Sequence, residues 1–496
     1  MPGLTSSMNM HRSFILHHYK NFRRVYMKKI TVLIVSFVFG VGACVSWGET
    51  SLPGMERTAL DRYVATPDPH FSYKLVNTMK GEQFTIFVLD MISQSWRSQE
   101  EVDRPLWQHW VTIYKPDTVN TSTGLLLIGG GKNGGKTPNK YDETLAQIAL
   151  TTNSVVTALS MIPNQPLKFA DEFSEEYKEK GRVEDDLIAY TWDKYLKTGD
   201  ETWPARLPMV KAVVRAMDAV TLFLGGNEGR EITVDTFVVA GGSKRGWTTW
   251  MTAAVDARVV AIAPIVIDLL NLEESFKHHW RVYGFWAPAI GDYVELDLMK
   301  HLGSPKFHQL MKLVEPYEYR ARFTMPKFLI NASGDEFFCP DSSQFYYDDL
   351  PGDKHVRYVP NTGHGLDDTD AVESLTAFYH AFLYDLPMPD YRWDFLSDGS
   401  IRVESKTKPT EVKLWQATNP DARDFRIDVI DKAWTSRALK EQGDGIFVGK
   451  AESPEKGWTA YFVELTYPSG IKVPFKFTSG IRVVPDQLPF TYPPEK

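Results

Sequence analysis

At 496 residues the chain is too long for one small core and suits a large domain with a smaller one beside it. Hydrophobic residues make up 43% and charged residues 24%, as in a folded globular protein, and a formal net charge of -8 excludes the basic surface that a nucleic-acid partner requires. With only Cys44 and Cys339, neither a disulfide framework nor a thiolate metal cluster is available; Cys339 reads as a small buried hydrophobe.

Residues 1–26 have no helix or strand logic of their own and read as an extension upstream of a true start at Met27. From Met27 the chain runs MKKITVLIVSFVFGVGACVSWGE: two lysines, an apolar stretch too short to span a bilayer comfortably, then small residues. That order is a secretory signal, expected over 27–50. Val41-Gly42-Ala43-Cys44 also resembles a bacterial lipobox, so lipidation of Cys44 and simple cleavage both stand. The expectation is an exported protein, in the bacterial periplasm, on the outer membrane or secreted, touching a membrane only through such an anchor.

A body over 51–389 comes next. Strands are predicted at 85–89 and 110–114, and a buried strand at 125–128 that runs into Gly129-Gly130-Gly131. A helix at 142–150, a strand at 154–159 and helices at 184–197 and 208–224 follow. Next are a strand at 235–240, a helix at 244–255, strands at 259–267, 327–331 and 356–359, and a helix at 370–384. Strands apolar on both faces and separated by helices imply a mostly parallel sheet covered on both sides, an α/β fold. Residues 271–319, rich in aromatics and histidines, interrupt the alternation as a helical insertion, read as a lid or as extra packing. After Pro387 short alternating segments at 401–403, 411–415, 458–465 and 473–477 predict a small β-sandwich over 390–496.

The chemistry centres on VVAGGSKRGWTTW, residues 238–250. A serine on a sharp strand-to-helix turn has its hydroxyl pushed out at the carboxyl edge of the sheet, and small neighbours relieve the crowding. Ser243 is the candidate nucleophile, although Arg245 sits where the usual Gly-x-Ser-x-Gly has glycine and Gly246 arrives one residue late. Asp335 follows the 327–331 strand in a short glycine turn, and His364 lies between Gly363 and Gly365 after the 356–359 strand. The order Ser, Asp, His, each just past a strand, is that of an α/β-hydrolase triad. In it His364 takes the serine proton and Asp335 orients the imidazole. Asp268, after the 259–267 strand, is the alternative acid, and Glu336 adjoins Asp335.

An oxyanion hole would come from the amide of Lys244 and from the loop holding Gly131 and Lys132. That loop lacks the ending of a P-loop and the spacing of a dinucleotide fingerprint, so no nucleotide cofactor is expected. Arg245, Trp247, Trp280 and Trp286 are candidate substrate contacts; Arg245 also reads as a structural partner of a carboxylate behind the turn. His278, His279, His301 and His308 lack metal-ligand spacing, and neither metal nor other cofactor is expected.

The run EVDRPLWQHW (101–110), with 125–131, Gly241 to Gly246 and Asn361 to Gly365, resembles the PhoPQ-activated pathogenicity-related protein family. The resemblance implies an exported bacterial protein with an α/β-hydrolase-like body, tied by name to virulence and to resistance against antimicrobial peptides. The elbow is also similar to that of glucuronoyl esterases, where a basic residue follows the nucleophile; Ser243 and Lys244 match, and the rest of the chain does not support that family. Two functions compete: a serine hydrolase acting on a small-molecule or peptide ester or amide, and a non-catalytic binding or signalling protein that keeps the fold.

Overall fold

A computed structural model describes residues 56–492. The expected signal segment, its Cys44 and the stretch before it lie outside these residues. Nine strands form the main sheet: β1 (Ser72–Lys80), β2 (Phe84–Ser95), β3 (Leu106–Pro116), β4 (Thr123–Ile128), β5 (Val156–Leu159), β6 (Thr236–Gly242), β7 (Val259–Ile265), β8 (Lys327–Ala332) and β9 (Lys354–Val359). Their spatial order is β1-β2-β3-β5-β4-β6-β7-β8-β9. β1, β2 and β3 pair antiparallel, β3 pairs antiparallel with β5, and every pairing from β5 to β9 is parallel. β1 lies at one end of the sheet, and its residues alternate between exposed and half-buried. It carries Lys74, Asn77, Thr78 and Lys80, which gives it no apolar signature for sequence reading to detect.

The central strands are buried on both faces because side chains alternate along a strand. In β6, Phe237 and Val239 face one core with Val210 and Val213 of the helix Arg206–Gly225. Val238 and Ala240 face the other, with Ala146 and Ala149 of the helix Glu143–Thr152 and Phe378 of the helix Ala371–Leu383. Each fully buried valine or phenylalanine contributes about 1.5–3 kcal/mol. The fold is therefore an α/β-hydrolase-like mostly parallel sheet with helices on both faces.

Residues 271–319 form helices Leu272–Tyr283, Gly291–Glu295 and Pro305–Val314 joined by single tight turns, lying in sequence between β7 and β8. Beyond Leu383 the strands pair antiparallel, with one short helix, Ile427–Ile430, among them. One sheet has strands β10 (Tyr391–Phe395), β11 (Ile401–Ser405) and β14 (Ile446–Gly449). The other has β12 (Glu411–Asn419), β13 (Thr435–Ala438), β15 (Trp458–Tyr467), β16 (Phe475–Thr478) and β17 (Arg482–Val484). This region is packed onto the body: Phe477 meets Phe328 of β8 at 5.3 Å between ring centres, and the Tyr358 amide of β9 donates to Thr478 Oγ1 at 3.0 Å. No described helix is long and apolar enough to cross a membrane.

Candidate active site

β6 ends at Gly242 and the helix Lys244–Ala253 begins two residues later, so Ser243 alone makes the turn. Its φ is 58° and its ψ -126°, a conformation costing a non-glycine residue about 1–3 kcal/mol. Two backbone bonds hold it there: the Ser243 amide donates to the Ile265 carbonyl at 2.8 Å, and the Trp247 amide donates to the Ser243 carbonyl at 3.0 Å. The late glycine has a steric explanation. A Cβ on Gly246 would stand 2.9 Å from the carbonyl oxygens of Gly241 and Ile265, and one on Gly241 would stand 2.8 Å from the Arg245 carbonyl oxygen. Both positions must be glycine for strand and helix to meet this closely.

Asp335 and His364 come together across the β8 and β9 loops. His364 Nδ1 lies 2.9 Å and 3.0 Å from the two oxygens of the Asp335 carboxylate. One of those oxygens also accepts the Phe337 amide at 2.9 Å, which fixes the carboxylate. Glu336 accepts the His364 amide at 2.7 Å, so the neighbouring acid holds the loop while Asp335 holds the ring; burial raises the Glu336 pKa. The imidazole packs against Phe337, 4.3 Å between ring centres. Its Nε2 is buried and makes no hydrogen bond within the described residues, to Ser243 included.

Asp268 is occupied elsewhere. Tyr346 and Tyr358 donate their hydroxyls to it at 2.5 Å and 2.7 Å, and burial pushes its carboxyl up to about 7 despite those bonds. The structure thus brings Asp335, and not Asp268, to the imidazole.

The cations beside the serine also have partners. Arg245 forms a fork onto Glu184 at 2.6 Å and 2.7 Å and donates Nε to the Ile162 carbonyl at 2.6 Å. Its guanidinium, which lies beside Gly130, is thus paired with a carboxylate, as the structural reading of Arg245 expected, and Arg245 is not among the residues that line the cavity at Ser243. Lys244 Nζ lies 2.9 Å from both Glu184 and Asp185. Burial opposes the charge of Glu184, yet Lys244 and Arg245 hold its carboxyl far below the usual range. Gln165 donates to Glu184 at 2.5 Å and to the Gly131 carbonyl at 3.1 Å, so one carboxylate ties the serine turn to the glycine loop. Sequence reading missed Glu184 and Gln165. The signal available was the acidic run Glu184-Asp185-Asp186 opposite two adjacent cations that need buried partners.

Gly131 and Lys132 lie exposed on the loop after β4, where the Met161 and Ile162 amides donate to the Gly130 and Gly129 carbonyls. Ser243 and Lys244 border a cavity of about 30 Å³ that Trp192, Trp247, Arg206, Phe276 and Phe338 also line. Trp247 is a cavity wall. Trp280 and Trp286 are not among its lining residues: they pack edge-on to each other at 5.1 Å, with Trp286 against Phe276 at 6.0 Å. Three of the insertion histidines have partners, His278 with Asp341 beyond β8, His279 with the Ala287 amide and His308 with Glu273.

Three comparisons place the chain among known proteins. The family model described as PhoPQ-activated pathogenicity-related protein matches residues 60–426. Autocrine proliferation repressor protein A of Dictyostelium discoideum is 38% identical over 465 residues, 87% of this chain and 92% of that protein. Among solved structures, the acetyl xylan esterase of a Paenibacillus species aligns with a TM-score of 0.46 at 15% identity, covering 65% of this chain and 92% of its own. Acetyl xylan esterase 1 of a Thermoanaerobacterium species aligns at 0.45 and 14%, covering 66% and 92%.

Proposed function

We propose that this chain, which belongs to the PhoPQ-activated pathogenicity-related protein family, is an exported serine hydrolase that cleaves an ester or amide through an acyl-enzyme. The observation that carries the reading is the pairing of His364 with Asp335 while its other nitrogen is kept free. It stands together with a serine held at positive φ on the strand-to-helix turn.

In this reading Ser243 Oγ attacks the substrate carbonyl carbon and its proton passes to His364 Nε2, Asp335 stabilising the imidazolium. The Lys244 amide, first in its helix, and an amide of the Gly131-Lys132 segment receive the oxyanion. His364 returns the proton to the leaving alcohol or amine, and water then releases the acid by the same steps. Export rests on the segment from Met27, and N-terminal mass analysis of the mature protein separates lipidation of Cys44 from plain cleavage.

A second reading has its own support. The relative at 38% identity is named as an autocrine proliferation repressor, a name that states no enzymatic activity. That favours a signalling protein that keeps the fold without the chemistry. A fluorophosphonate probe decides: covalent labelling that disappears in Ser243→Ala supports the hydrolase, and folded protein that never labels supports the alternative.

A further inference from the structure

The cavity bordering Ser243 is small, and its Trp247–Trp192–Tyr293 wall is fixed by polar bonds and ring stacking, opposite an apolar wall that includes Leu269, Phe276 and Ile290. About 30 Å³ compares with roughly 150 Å³ for a cavity that accepts benzene. Trp247 donates its indole N–H to the Val314 carbonyl at 2.5 Å, and the Arg206 guanidinium stacks on its ring at 4.5 Å. Trp192 packs edge-on against both Trp247 and Tyr293, at 6.2 Å and 5.6 Å. Tyr293 in turn donates to Asp185 at 2.9 Å, and Asp185 pairs with Lys244. Moving any of these rings aside breaks a buried hydrogen bond, or the stack that depends on one. A long alkyl chain therefore cannot make room on this side, and lengthening it toward Asp185 and Arg206, both of which line the space, would press methylenes onto buried charges.

We infer that the acyl group carried by Ser243 is a short one, two or three carbons such as acetyl or propionyl, seated in this cavity. The alcohol or amine half of the substrate lies on the solvent side, where Gly131 and Lys132 are exposed. The inference rests on the serine-hydrolase reading and adds its substrate class.

The test compares kcat/KM for p-nitrophenyl acetate and p-nitrophenyl hexanoate on the mature protein. Acetate is expected to lead by about 100-fold or more, since each misfitting methylene is worth roughly tenfold or more in such a pocket. Leu269→Ala, at a partly buried cavity position, is expected to narrow that ratio by about tenfold. Ile290→Ala, on the insertion side, gives a second and independent enlargement. Equal or better turnover of hexanoate by the unaltered protein, or a ratio unmoved in both variants, overturns the assignment of the cavity while Ser243 still labels with fluorophosphonate. Absence of both turnover and labelling removes the hydrolase reading, and this inference with it.

Discussion

Asn361 and Trp434 hold each other by two reciprocal hydrogen bonds, the Asn361 side-chain amide donating to the Trp434 carbonyl and the Trp434 amide donating to Asn361 Oδ1, both at 2.9 Å. Asn361 stands three residues before His364, and Trp434 belongs to the C-terminal region. Ile427 of the same region donates its amide to the Gly334 carbonyl at 2.8 Å, next to Asp335. The antiparallel region thus buttresses both loops of the Asp335–His364 pair from behind.

Asn361→Gly keeps the left-handed backbone that Asn361 adopts at φ 59° and removes only the side-chain bonds. Leaving the Trp434 amide unpaired is expected to cost about 1–3 kcal/mol. Turnover of an ester substrate is expected to fall by up to about 100-fold, with KM moving less, because the imidazole loses its placement. Chemical denaturation and steady-state kinetics read the two effects separately.

Asp335→Asn is expected to lower kcat by about 10³–10⁴, because an amide favours the wrong imidazole tautomer and cannot stabilise the imidazolium. Asp268→Asn serves as the contrast, since its carboxyl contacts Tyr346 and Tyr358 and not His364. Its kcat is expected to stay within about tenfold of the unaltered protein. Equal losses in the two variants would reject Asp335 as the acid that serves His364.

Glu184→Gln leaves Lys244 and Arg245 with one charge partner fewer. A destabilisation of about 2 kcal/mol is expected, toward the lower end for a broken ion pair because Glu184 keeps some solvent contact. The pH dependence has a definite sign. The folded-state pKa of Glu184 is depressed, so its contribution is present above the ordinary glutamate value and lost as pH falls through the folded one. The gap in melting temperature between the two proteins should therefore shrink on acidification below about pH 4.

Asp268 titrates in the opposite sense. Burial raises its folded-state pKa to about 7, so its neutral form favours folding at low pH and that advantage is lost as pH rises toward 7. Asp268→Asn cannot ionise. Its melting temperature relative to the unaltered protein is expected to rise by about 2 °C or more between pH 5 and pH 8. Differential scanning fluorimetry across that range checks the direction.

The amino-acid sequence by itself determined the serine turn and the order of the candidate residues. Gly241, Ser243 and Gly246 mark the turn by residue type and spacing, and the buried strands before Asp335 and His364 announce themselves as apolar runs, so short-range rules reach them, although the Ile265 carbonyl that makes Gly246 obligatory comes from the neighbouring strand. The tertiary structure alone decided which acid meets His364, because Asp268 and Asp335 each follow a strand and differ only in what surrounds them. It alone paired Lys244 and Arg245 with Glu184, and Asn361 with Trp434. Those bonds join residues 60 or more positions apart. Burial, which makes such pairs obligatory, is a property of the packed chain that no local stretch encodes.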